Sequence, residues 1–270
     1  MSALSYKEKL KNFPSVNYTS LRESTDRRLY MQYQFDCYGL TETNVYIADR
    51  FNKISSQVQV TGTSLTLPEV HSQMGCITSH LNLMRNWYVS TDEEYAIFCE
   101  DDTSFESIKY WNFTWDDFVQ NLPEGWNGVQ LRKILMPYCN PDGEPALKLK
   151  LTRGRWWGTC SLFKRSYVKA ILDATCRGYN SYVLDSINIS GTWYAPIIEN
   201  LLYLQRGAIY NFPMFVEESN FATTYINKKT ITEGVDRSND SQYWSDQLVQ
   251  KEWKTVGPTL DFRDAMTLPD

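Results

Sequence analysis

The sequence predicts an α/β sandwich. Runs rich in β-branched and aromatic residues alternate with helical stretches instead of being grouped, which is the order of a sheet covered by helices. At 270 residues, 42% hydrophobic and 14% aromatic, the chain has enough apolar surface for one enzyme-sized core. One apolar run, Ala96 to Cys99, ends abruptly in the carboxylates Glu100, Asp101 and Asp102.

The first strand is expected over Val16 to Leu21, followed by a helix capped by Ser24 or Thr25 and stopped near Gly39. Asn44 to Ala48 reads as the second strand. In VHSQMGCITSHLNLMRNW, Val70 to Trp87, residues Val70, Met74, Ile77, Leu81, Met84 and Trp87 recur at three- and four-residue steps, the pattern of a buried helix face leading into the acidic strand. Further strands are expected at Gly128 to Leu131, Leu147 to Leu151, Gly158 to Phe163 and Ala208 to Phe212, with helices near Arg165 to Cys176 and Ile197 to Gln205. Residues 1–226 form the expected domain. From about Asn227 the composition turns polar, so residues 227–270 read as an extension packed on the domain or trailing from it.

Lys plus Arg number 27 against Asp plus Glu 32, a net charge of −5 with no long basic run, which argues against a broad nucleic-acid footprint. A local basic patch of Arg132, Lys133, Lys148, Lys150, Arg153 and Arg155 nevertheless keeps contact with nucleic-acid phosphates open. The start, MSALSYKEKLKNF, lacks the apolar core of a signal peptide and the length of a membrane span, and points to a cytoplasmic protein. Cys37, Cys76, Cys99, Cys139, Cys160 and Cys176 form no close pair and read as reduced, packed thiols, so zinc is not expected.

Along an extended chain Glu100 and Asp102 point to one side and Asp101 to the other, so two carboxylates converge. Hard oxygen ligands suit Mg2+ or Mn2+, commonly held by one or two carboxylates with substrate phosphates completing the shell. The alternative is a solvated acidic turn that merely ends a buried strand.

The order GCITSH, the rest of a helix, then YAIFCEDD resembles glycosyltransferase family 25, the group containing lipopolysaccharide and collagen galactosyltransferases. YTSLRESTDRR, Tyr18 to Arg28, is similar to the family's early strand and arginine pair, with Ser20 where the family usually has Asn. GTCSLFKRSYVKAIL, Gly158 to Leu172, looks like its Gly-Thr strand and helix. PIIENLLY, Pro196 to Tyr203, is similar to a Pro-Val-Asp segment, with Glu199 in place of Asp. The resemblance spans about Val16 to Phe215.

This resemblance implies a GT-A nucleotide-sugar-binding fold with a mixed central sheet, and a metal-dependent transfer of galactose or glucose from a UDP-sugar to a glycan-type acceptor. Glu100 and Asp102 would hold Mn2+ or Mg2+, with Asp101 behind them. Tyr18, Thr19, Ser20, Arg27, Ala48 and Asp49 would line the nucleotide site at the carboxyl ends of strands. Arg27 is expected to reach phosphate and Arg28 to face solvent. His80 matches the family's GCxxSH pattern; it has no CxxH or HxxxH partner, and read alone it is a hydrogen-bonded core histidine. His71 is read as structural. The family's β-linked products imply inversion, which needs a base apart from the metal ligands; Glu199 is the first candidate and Asp185 the second. Glu199 reads equally as an acid favouring a helix N-terminus. Trp157 is the expected stacking platform for an acceptor sugar, while Trp87 and Trp126 belong to the core. The aromatic load also suits a carbohydrate-binding protein without activity, although that reading leaves the acids at the strand end unexplained.

Overall fold

The computed structural model describes residues 4–49, 58–61, 68–132, 145–151, 160–178, 181–185, 187–189, 192–194, 207–218 and 241–268. A short helix α1 (Tyr6–Lys9) starts from a capping box in which Ser5 and Glu8 satisfy each other's backbone N–H groups. Strand β1 (Val16–Leu21) leads into α2 (Thr25–Tyr38), which ends at Gly39 with φ 72°, a left-handed conformation open to glycine at low cost. Next come β2 (Thr43–Ala48), β3 (Val58–Thr61), the long helix α3 (Pro68–Ser90) and the acidic strand β4 (Tyr95–Glu100). The middle of the chain holds β5 (Thr103–Ser104), α4 (Trp115–Gln120), β6 (Trp126–Gln130), β7 (Lys150–Leu151), β8 (Cys160–Lys164) and α5 (Arg165–Thr175). Short strands follow: β9 (Cys176–Gly178), β10 (Ser181–Asp185), β11 (Ile187–Ile189), β12 (Thr192–Tyr194), β13 (Ala208–Asn211) and β14 (Val216–Glu217). Helices α6 (Ser241–Thr255) and α7 (Phe262–Met266) close the described chain.

The main sheet has seven strands in the order β2-β1-β4-β8-β6-β13-β7. β1, β2, β4, β6 and β13 share one direction, and β8 and β7 run against them. The mixed central sheet flanked by helices is therefore present. The chain passes from β1 to β2 on one side and later returns to β4 on the other, which makes the β1–β4 boundary a topological switch point. Open α/β sheets bind ligands in the crevice at the carboxyl ends of strands at such a point.

Period-two alternation splits the strands between two cores. Ile97 and Cys99 of β4 and Leu162 of β8 face one side, with α2 and the C-terminal helices; Ala96 and Phe98 of β4 and Phe163 of β8 face the other, with α3 and α5. The predicted α3 stripe is buried at Met74, Ile77, Leu81, Met84 and Trp87; the side chain of Val70 lies outside the described residues. Gly128 of β6 is required by close approach, because a Cβ there would stand 2.5 Å from the Phe163 ring.

One expectation needs correction. The strand expected from Leu147 shrinks to Lys150–Leu151, because the preceding backbone is used elsewhere: the Leu149 N–H donates to the carbonyl of Ala265 at 2.7 Å, and Leu147 and Leu149 sit in the core. The polar C-terminal segment packs on the domain, the first of the two placements expected for it. Val249, Trp253, Ala265 and Met266 are buried in the main core, and the Trp253 indole N–H donates to the carbonyl of Pro213 at 2.8 Å. An indole buried with its polar atom satisfied fixes the helix in place. Widely spaced apolar anchors in a polar helix hide this role in the composition. The helix expected near 197–205 lies outside the described residues.

Candidate active site

The carboxyl end of β1 supplies Thr19 and Ser20, and the same end of β4 supplies Glu100, with Thr19 and Glu100 in register across the parallel pair. The strand stops at Glu100, and Asp101 and Asp102 form a turn. Alternation along a strand thus ceases one residue before it was expected to sort the acids. Instead of facing apart, Asp101 and Asp102 both meet Arg27: its Nη1 donates to Asp101 Oδ1 and to Asp102 Oδ2, each at 2.9 Å. All three residues are buried.

Arg27 serves as a counterion that holds the turn. Contrary to expectation, Arg28 does not face solvent. It folds back over the β1–α2 junction, donating from Nη1 to Ser20 Oγ at 3.0 Å and to the Leu21 carbonyl at 2.5 Å, and from Nη2 to the Arg22 carbonyl at 2.9 Å. Ser20 also bonds Asp101, so β1, α2 and the acidic turn are joined through one hydroxyl.

Glu100 belongs to a different set of neighbours. Its Oε1 lies 3.5 Å from His80 Nε2 and accepts from the Cys76 thiol at 3.6 Å, both on α3. His80 is 1% exposed, yet neither ring nitrogen makes a hydrogen bond among the described residues. Cys76 and His80 stand four residues apart, one helical turn, which brings their side chains to one face. The spacing Cys-x-x-x-His was present in the sequence; treating Cys76 as a packed thiol concealed it.

On the other side of the turn, β14 pairs with β5 and sets Glu217 opposite Thr103. The Glu218 N–H donates to the Asp102 carbonyl at 2.7 Å. Burial pushes the Asp102 carboxyl well above the usual range, with Glu217 and Glu100 adding to the rise and Arg27 and Arg132 opposing it. Burial likewise raises Glu217, against the pull of Arg132. For Glu100 burial acts upward too, but His80 beside it and the positive charge of Arg132 bring it below its ordinary value.

Arg132, two residues beyond β6, is 1% exposed and bonds Glu217 at 2.7 Å and Asp246 of α6 at 2.9 Å through Nη2. It is an internal counterion and not part of an exposed basic patch; Lys133, Arg153 and Arg155 lie outside the described residues.

Tyr18 is 7% exposed and packs edge-on against Phe35 at 5.8 Å, which makes its ring part of the core beneath α2. Ala48 is buried opposite Leu21, and Asp49 pairs with Arg22 at 3.4 Å on the outer side of the same sheet edge. Asp185 ends β10, in register with Thr61 of β3; its side chain, together with Glu199 and Trp157, lies outside the described residues. Trp87 and Trp126 are core residues, as expected. The packed-thiol reading holds for Cys99 and Cys160, while Cys37 is exposed on α2.

Among the described residues no helix is long and apolar enough to cross a membrane. No protein-family model matches the chain, and no curated protein matches it at a significant level.

Proposed function

We propose that the protein is a metal-dependent glycosyltransferase of the GT-A type, similar to family 25, that transfers a hexose, galactose or glucose, from a UDP-sugar to a saccharide or other hydroxyl acceptor with inversion. One observation carries the reading: the acidic residues Glu100, Asp101 and Asp102 stand at the carboxyl end of β4, at the switch point of the sheet, with Asp102 raised by burial and further by Glu217 and Glu100. Desolvated carboxylates at a strand end offer hard oxygen donors, the kind that suits Mg2+ or Mn2+ with substrate phosphates completing the shell. Asp102 would be the leading ligand and Glu100 the second, through the oxygen not turned to His80 and Cys76. The ion, when bound, supplies charge stabilisation to the departing diphosphate.

The remaining work falls to the chain itself. Arg27 holds Asp101 and Asp102 in one arrangement, so these acids need not reorganise when the donor binds. Ser20 and Thr19 line the β1 side of the crevice. A base is needed on the acceptor side, where Glu199 is first and Asp185 second, and Trp157 would stack on the acceptor ring. The test is a panel of nucleotide sugars scored for thermal stabilisation and hydrolysis with and without Mn2+. A UDP-hexose should stabilise the protein only when Mn2+ is present; no response to any nucleotide sugar with Mn2+ would remove this reading.

A further inference from the structure

The geometry points to a second cation site, for a borderline-soft metal such as Zn2+, formed by Cys76 Sγ, His80 Nε2 and Glu100 Oε1. This goes beyond the glycosyltransferase reading, in which the metal is a hard ion held by oxygen atoms at Asp102. Three independent features of the same place support it.

The first is spacing. Tetrahedral zinc with bonds of about 2.0 to 2.3 Å sets its N, O and S ligands about 3.3 to 3.6 Å apart. Here His80 Nε2 to Glu100 Oε1 is 3.5 Å, Cys76 Sγ to Glu100 Oε1 is 3.6 Å, and one ligand atom from each residue lies within 4.8 Å of the others. The second is His80 itself. A buried imidazole almost always finds a hydrogen-bond partner, but both ring nitrogens of this one lack any among the described residues, and it is 1% exposed. Metal ligation would satisfy the nitrogen aimed at Glu100. The third is rigidity: Cys76 and His80 share one face of α3, and Glu100 ends a strand packed beside it.

The donor set selects the metal. Thiolate and imidazole favour Zn2+, or Co2+ as its spectroscopic substitute, over Mg2+. A thiolate and a carboxylate cancel the charge of a dication, so the loaded site is neutral, as burial requires. On binding, the Cys76 thiol gives its proton to solvent and the sulfur lone pair forms the bond. Three protein ligands leave a fourth position for water or a substrate atom, and the Glu100 side chain keeps 25% exposure through which either can arrive.

The experiment is titration of the full, metal-stripped chain with Co2+ followed by displacement with Zn2+. The expected result is one thiolate-ligated Co2+ per chain, with the intense visible bands of tetrahedral cobalt and a near-ultraviolet sulfur-to-cobalt charge-transfer band, both erased by Zn2+. Cys76→Ser should abolish the charge-transfer band and weaken Zn2+ binding by about 100-fold or more, and His80→Gln should independently abolish tetrahedral ligation. Wild-type protein without the charge-transfer band at saturating Co2+ would overturn the proposal, as would a band that survives in both variants. Failure of the glycosyltransferase reading is scored separately: Asp102→Asn should leave this Co2+ spectrum intact, and Cys76→Ser should leave Mn2+-dependent UDP stabilisation intact.

Discussion

Arg132 and Asp246, 114 residues apart in sequence, form a two-point ion pair, with Nε to Oδ1 at 3.2 Å and Nη2 to Oδ2 at 2.9 Å. The same guanidinium holds Glu217, whose carboxylate helps to raise Asp102. Helix α6 is thereby connected to the acidic turn by one buried cation. The first prediction follows from the cost of removing one of that cation's two carboxylate partners while Glu217 stays. Asp246→Ala should destabilise the fold by about 1.5 to 3 kcal/mol in urea unfolding. A loss below about 1 kcal/mol for the single change would mean that the pair is not buried as described.

The second prediction concerns the acid turn and the metal proposed for it. Asp102→Asn removes charge with little change of shape, so the variant should fold and lose Mn2+-assisted UDP binding. Calorimetry is the measurement. Equal UDP affinity for the wild type in Mn2+ and in excess chelator would sink the metal-bridge argument.

A third prediction separates the adjacent arginines. Arg27→Ala removes the counterion that bonds both Asp101 and Asp102, which are buried, and should cost about 3 kcal/mol of stability. Arg28→Ala removes hydrogen bonds at a half-exposed junction and should cost about 1 to 2 kcal/mol. Denaturant midpoints compare the two directly. If nucleotide binding, not stability, is what Arg27→Ala loses, the side chain serves the ligand and its pairing with the aspartates is incidental.

Strand and helix identities were legible where periodicity was strong: β1, α2, β2, α3 and α5 stand within a few residues of their expected limits. The site was less so. Its acids could be found from AIFCEDD, but their directions depended on a turn beginning at Asp101, which no local pattern announces. Glu217, Arg132 and Asp246 carry no motif; each is a charged residue beside an apolar segment, and only tertiary packing brings them together. Cys76 and His80 differ in this respect, since their four-residue spacing on a clearly helical segment placed them on one face from the outset.

The last prediction addresses the base. Inversion requires a carboxylate on the acceptor side, distinct from any metal ligand, and within hydrogen-bond reach of the attacking hydroxyl. Glu199→Gln keeps size and hydrogen-bonding capacity while removing basicity, so kcat should fall about 10^2 to 10^4-fold with donor binding nearly unchanged. Asp185→Asn is the control. Strand β10, which Asp185 ends, is anchored to α3 through the Tyr182 hydroxyl and Asn82, so the change sits on an element with a fixed seat. Initial rates with the acceptor that proves active, alongside calorimetric donor affinity, separate the outcomes. Loss of turnover in Asp185→Asn with Glu199→Gln still active transfers the role to Asp185; full activity in both variants removes a base from these two positions.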